Sequence, residues 1–358
     1  MKTIDESGEG DVGQFRNAAR SMTIIHRSFS MTCVFLLALA CNKSKSDTPA
    51  VQPSTQSAQA PAALTAEPTG PAMHIDPDRA WQYTKEIVAI GPRWDGSKGQ
   101  EKVGAYLHSR FQNDVVEEDA FVADTPAGKI PMRNIIVKFP GAKDGVLVLG
   151  SHIDTNYPLR KTKYVGANDG ASSTALLMAI ADQLRGKKLE GFSVWLAFLD
   201  GEEAIQHWTD QDSLYGSKHL AAKWQQDGTI RKVRAFLLAD MIAVADVDVL
   251  RDQNSTPWLQ DVVYQAATRL GYQSHFFTRE DAIQDDQLPF ARMNVPVTDL
   301  IDMPYGYNDV YHHTTEDTLD KLSPKSLQII GDVILETIRL LNANADHLPV
   351  GTPLKATQ

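Results

Sequence analysis

Residues 145–154 read GVLVLGSHID, and residues 192–203 read FSVWLAFLDGEE. Each opens on a short, predominantly apolar run that stops abruptly in polar and acidic residues. An apolar run of this length without alternation suits a strand buried on both faces. Residues 233–239 (VRAFLLA) and 295–301 (VPVTDLI) repeat the pattern, and Asn134–Phe139 is a further β-rich run. Between these runs the period changes. Ala171–Leu184 reads as a helix with a broad apolar face, and Ser323–Leu341 as a terminal helix with Pro324 in its first turn. Upstream, Asp76-Pro77 opens a helix carrying Trp81, Ile87 and Val88 on one face, and Gly99–Phe111 forms the next. Strands alternating with helices predict an α/β fold. The expected form is a three-layer sandwich with a mixed, mostly parallel sheet and helices on both faces.

The ends of the buried strands carry the chemistry. His152 and Asp154 follow the first, Glu202 and Glu203 the second, and Asp240 the third. Sites in open α/β sheets form at the carboxyl ends of strands. Imidazole and carboxylate groups gathered there suit zinc in a catalytic site that keeps an open position. Each residue alone has a plainer reading. His152 would be a hydrogen-bonded core histidine. Asp169, in Asn168-Asp169-Gly170, would be a helix N-cap. Glu202 and Glu203 would be a solvated loop pair, His312 and His313 exposed side chains, and Asp317 a turn cap. Their joint occurrence after strands of one domain favours the site.

Composition narrows the rest. The net charge of −10 argues against a nucleic-acid partner. The two cysteines, Cys33 and Cys41, both lie near the start, so any metal site must use His, Asp and Glu. Met31–Ala40 (MTCVFLLALA) is too short to span a bilayer comfortably and follows Arg16, Arg20 and Arg27. Residues 1–41 therefore read as an export signal, with Met22 an alternative start. Ala38-Leu39-Ala40-Cys41 fits both a lipobox and an ordinary cleavage site. The lone cysteine before a polar stretch favours lipidation at Cys41. Residues 42–74, rich in Ala, Pro, Ser, Thr and Gln, read as a flexible tether. The catalytic domain is expected over 75–347, with a tail at 348–358. The expected location is a bacterial cell envelope or periplasm, with a membrane contact only through the lipid, and the expected state is a monomer.

The motifs taken in order resemble a family. His152-x-Asp154, Asn168-Asp169-Gly170, Glu202-Glu203 and His313-Thr314-x-x-Asp317-Thr318 are similar to the zinc aminopeptidase superfamily, of metallopeptidase family M28 type. A narrower resemblance lies in Phe198–Ala204, His207-Trp208, residues 211–217 (QDSLYGS) and Ile283-Gln284-Asp285-Asp286 before Pro289-Phe290. These look like the zinc-type glutaminyl-peptide cyclotransferases, over about Ile75 to Asn344.

That resemblance implies one zinc held by Asp169, Glu203 and His313, with Glu202 as general acid/base. It implies Asp240 and Asp285 as acidic partners of Glu202, and Trp208, Ile283, Tyr305 and His312 around the substrate. The implied partner is a peptide or protein N-terminus, whose glutamine becomes pyroglutamate with release of ammonia. The alternative is an aminopeptidase with two zinc ions, the second held by His152 and Asp240 with Asp169 bridging. Three departures stand out: His312 where the familiar cyclases carry Trp, Asp299 where some carry His, and no cysteine pair near the site. His312 also competes with His313 for the metal, and the HTxxDT spacing favours His313. A non-enzymatic peptide-binding module is the remaining reading, opposed by retention of the implied zinc residues.

Overall fold

The computed structural model describes residues 64–348. The export signal, Cys41, most of the tether and nearly all of the tail lie outside the described residues. The first elements are α1 (Pro77–Val88) and α2 (Lys98–Arg110). Asp76 caps α1 by accepting the amides of Asp78 and Arg79, and Ser97 caps α2 through the amide of Gln100. A hairpin of β1 (Val115–Thr125) and β2 (Gly128–Phe139) follows, then β3 (Gly141–His152), α3 (Ser173–Leu184) and β4 (Leu189–Leu199). The second half holds α4 (Tyr215–Asp227), β5 (Val233–Asp240), β6 (Val249–Asp252), α5 (Pro257–Leu270) and β7 (Phe276–Asp281). It closes with α6 (Gln287–Ala291), β8 (Val297–Ile301) and α7 (Pro324–Ala343).

Six strands form one sheet in the order β1-β2-β4-β3-β5-β8. The pairs from β4 across β3 and β5 to β8 are parallel, while β1–β2 and β2–β4 are antiparallel. The sheet is therefore mixed, as the apolar runs predict. Strand alternation splits the core between its faces. Leu147 and Leu149 of β3 join α1, α3, α5 and α7. Val146 and Val148 join Leu220 and Trp224 of α4 and Phe290 of α6. Both faces of the central strands are thus covered, which is why those strands carry no polar alternation.

Two features depart from the sequence reading. β1 is an edge strand with alternating exposure, and its polar composition conceals it. Leu64–Met73 falls in the expected tether, yet part of it lies along α7. Asn344 pairs with both the amide and the carbonyl of Ala66, and Arg339 donates to the carbonyls of Thr69 and Gly70. The folded chain therefore begins before Ile75. No described helix is long and apolar enough to cross a membrane.

Candidate metal centre

The parallel register brings the carboxyl ends of four strands, β4, β3, β5 and β8, to one edge. His152 of β3 is level with Leu199 of β4, and Asp240 of β5 with Ile301 of β8. Beyond β4 the chain turns through Asp200-Gly201 so that Glu202 and Glu203 point inward, both buried. Asp154 fixes that turn: its carboxylate accepts the amides of Glu202 at 3.2 Å and Glu203 at 3.1 Å. Asp317 does the same for the other acidic segment, accepting the amides of Asn168 at 2.8 Å and Asp169 at 3.2 Å. Asp317 is thus a cap, the plainer of its two sequence readings. Between Asp169 and α3 the chain kinks at Gly170, with φ +84°. A Cβ there would meet Cε1 of His152 and the carbonyl oxygen of Asp154, both at 3.0 Å. The glycine lets the Asp169 turn approach the end of β3.

Two of the expected donors converge on the third, the His313 imidazole. His313 Nε2 lies 3.0 Å from Glu203 Oε1 and 3.4 Å from Asp169 Oδ2. Glu203 Oε1 is buried and makes no well-formed hydrogen bond, although its partner oxygen accepts from Asn156 at 2.8 Å. Asp169 also accepts from the hydroxyl of Tyr164. Burial opposes a charge on His313, but Glu203 and Asp169 outweigh it and push the imidazole up to about 11. Two buried carboxylates around one imidazole form a centre that favours a cation. The donor set therefore fits a metal.

His312 lies beside this centre. Its ring centroid is 3.9 Å from that of His313, and Nδ1 faces Asp309 Oδ2 at 3.1 Å. Donor atoms of Asp169, His312 and His313 lie within 4.8 Å of one another. His313 reaches both Asp169 and Glu203. A second group within the same limit is His152, Asp169 and Asp240. There His152 Nε2 stands 3.0 Å from Asp169 and 3.2 Å from Asp240, while Nδ1 is 3.8 Å from Glu202.

The acid groups behind the centre carry perturbed protons. Burial pushes the Glu202 carboxyl well above the usual range; Asp285, Glu203 and Asp286 add to this and His152 opposes it. Asp285 is raised in turn by burial, then by Asp240 and Asp286. Asp299 is fully buried, and both its oxygens lack partners. Shifts of this kind cluster at functional sites.

The remaining expected residues divide. Trp208 is 39 % exposed, and Ile283 and His312 are half-buried. Tyr305 does not fit the expected wall of an open pocket. It is fully buried, and its hydroxyl donates to Asp317 at 3.0 Å. A phenol oxygen needs such a partner when buried, and the carboxylate cap supplies it. Tyr305 therefore supports the Asp169 turn from beneath. Asn156 and Tyr164 touch the donors and were not evident in the sequence. Asn156 extends the polar run after β3, a weak signal; Tyr164 gives none. The QDSLYGS tract gains a structural reason. Asp212 accepts the amides of Ile205, Gln206 and His207 at 2.8, 2.9 and 3.0 Å and the Tyr215 hydroxyl at 2.7 Å. It shapes the loop that displays Trp208.

A carboxylate and imidazole centre at the carboxyl edge of a mixed sheet, covered on both faces, defines a metal-centred α/β sandwich. Residues 134–338 match the signature of Peptidase family M28. The chain is 50 % identical to an Acidobacteriales bacterium glutaminyl cyclase of known structure, over 78 % of this chain and 99 % of that one, with a TM-score of 0.75. It is 29 % identical to the glutaminyl-peptide cyclotransferase-like protein of Bos taurus, over 73 % of this chain and 74 % of the relative. A Zn-dependent exopeptidase of Parabacteroides distasonis shares the fold at 25 % identity and a TM-score of 0.67, covering 75 % of this chain and 99 % of that one. The chain belongs to peptidase family M28 and, within it, to the glutaminyl cyclases.

Proposed function

We propose that this chain is a zinc-dependent glutaminyl cyclase, converting an N-terminal glutamine of peptides or proteins to pyroglutamate with release of ammonia. The observation that carries the reading is the division of labour between two adjacent glutamates. Glu203 faces His313 and Asn156, on the side of the donor set. Glu202 faces His152 at 3.8 Å, and its burial, with Asp285, Glu203 and Asp286 adding and His152 opposing, raises its affinity for a proton.

Asp169, Glu203 and His313 would hold the zinc, which when bound supplies a Lewis acid for the γ-amide carbonyl. The α-amine nitrogen of the substrate bonds to the carbonyl carbon of the γ-amide, Cδ, and the bond from that carbon to the amide nitrogen breaks. Because nucleophile and electrophile share one residue, closure is intramolecular and consumes no water. Glu202 takes a proton from the attacking amine and delivers it to the departing nitrogen, which leaves as ammonia. A raised carboxyl affinity suits that second transfer. Asp240 and Asp285 hold the charge environment of Glu202, and Trp208, Ile283 and His312 border the substrate. Cys41 would anchor the exported chain.

The cluster of His152, Asp169 and Asp240 favours a second reading, an aminopeptidase using two zinc ions. The test is a Gln-initiated dipeptide beside a leucine amide. A product lighter by one ammonia, with the peptide bond intact and formation blocked by chelator, supports the cyclase. Release of free leucine would sink it in favour of the peptidase.

A further inference from the structure

Among the described residues, seventeen aspartates and glutamates are buried, against Arg93 and Arg234 as the only buried lysine or arginine side chains. Arg234 stands near the start of β5, beside the carbonyl of Asp144 and remote from the strand ends. Arg93 is thus the buried guanidinium on the side of the metal centre. It is fully buried, and its hydrogen bonds go to main-chain carbonyls. Nε donates to Ile153 at 3.0 Å, Nη1 to Val165 at 2.6 Å and more weakly to Gly91 at 3.4 Å, and Nη2 to Gly166 at 3.2 Å. Its own amide donates to the Thr155 hydroxyl at 2.9 Å.

The acceptors explain the placement. Ile153 lies between His152 and Asp154, at the end of β3. Val165 and Gly166 lead into Asn168 and Asp169. One planar side chain therefore bridges the strand end and the turn that carries a metal donor. Gly166 adopts φ +51°, and a Cβ there would meet the Asp169 carbonyl at 2.4 Å and Arg93 Nη2 at 3.4 Å. The turn is shaped to come this close. A buried guanidinium without an anion in contact is costly. Here several oriented carbonyls compensate it, together with Asp154, Asp169 and Asp317 at longer range. A rigid fork of N–H donors can span three carbonyls at once, whereas an ammonium offers a single point of charge.

We propose that Arg93 is a positioning residue for the metal centre: its fork sets the spacing between the His152–Asp154 strand end and the Asp169 turn, and through it the zinc affinity. The inference rests on the metal centre proposed above and not on the identity of the substrate. Arg93→Lys keeps the charge and loses the fork; Arg93→Met loses both. Zinc affinity is measured on the full chain by competition with a chromophoric chelator, with far-UV circular dichroism as the check of folding. Both variants are expected to bind zinc at least about tenfold more weakly, the size typical of groups that orient metal ligands. A lysine variant with the parent's affinity would overturn the fork, as would unchanged affinity in both. Should these variants fail to fold, Thr155→Val releases the Arg93 amide and leaves the guanidinium in place. It is expected to weaken zinc binding by a smaller factor, and unchanged affinity there overturns the proposal. A parent chain that binds zinc but does not cyclise glutamine would sink the proposed activity and leave this inference standing.

Discussion

Between Asp200 and Tyr215 the chain is tied down by carboxylates that accept backbone amides, whereas between Tyr305 and His313 it runs through left-handed residues with few anchors. In the first segment Asp154 and Asp212 together receive five amides. In the second, Asn308, Asp309 and His313 have φ of 54°, 62° and 50°, and Tyr307 is 84 % exposed. Its ties include Asp309 on the Tyr305 amide at 2.8 Å and on His312 at 3.1 Å. Charge-assisted bonds to amides hold a backbone firmly, while non-glycine residues at positive φ store strain that the surroundings must sustain. The proposed proton carrier and one proposed metal donor sit on the firm segment. The imidazole donor and His312 sit on the strained one.

The comparison breaks most directly at Glu202. Glu202→Gln keeps the shape of the firm segment and removes its proton carrier. The turnover rate should fall about 10²–10⁴-fold, with zinc content by atomic absorption unchanged. A rate above a tenth of the parent's would remove Glu202 from the mechanism. Asp212→Asn tests the firmness itself. It weakens the bonds to three amides, and urea unfolding should show a loss of about 1–3 kcal/mol. Burial works to raise the Asp212 carboxyl, but the amides of His207, Ile205 and Gln206 and the Tyr215 hydroxyl outweigh it and hold it below the usual range. With a lowered folded value, the contribution is complete above the unfolded value of about 4. It is lost as pH falls through the folded value. The gap between parent and variant should therefore stay constant down to about pH 4 and narrow below it.

The strained segment should respond in binding before chemistry. Asp309→Ala frees His312 and the Tyr305 amide, a loss of about 1 kcal/mol. KM for a Gln-initiated peptide should rise about threefold to tenfold, with zinc content preserved. An effect on kcat alone would mean that the segment acts in the chemical step. Asn308→Gly should change least. Glycine relieves the left-handed strain but adds freedom to the unfolded chain, so thermal unfolding should place it within about 0.5 kcal/mol of the parent. A stabilisation well beyond that would show the strain to be larger than its backbone angles imply.

The legible parts of the molecule are those where burial leaves no choice of residue. β3, β4 and β5 bury both faces, so they read as predominantly apolar runs, and their ends show where Asp, Glu and His begin. β1 needs no such run, because Glu117 and Glu118 sit on an edge strand. The docking of Leu64–Met73 is equally hidden, since its main-chain groups bond to Asn344 and Arg339, more than 250 positions away. Spacing picks out His313, which the geometry brings to Asp169 and Glu203. It also offers Tyr305 as a pocket wall, but no spacing rule reveals that a phenol is spent on Asp317. Asn156, Tyr164 and Arg93 escape for the same reason: their importance lies in what they touch across the fold.

Asp154 and Asp317 each seat two consecutive amides, and those amides belong to Glu202, Glu203, Asn168 and Asp169. The main chain beneath two of the proposed donors is therefore settled by folding, before any ion arrives. Metal uptake then orders little polypeptide beneath Asp169 and Glu203. Its calorimetric signature is a small change in heat capacity, because little apolar surface leaves water. With zinc bound, His313 would be a neutral ligand, so uptake should weaken as pH falls.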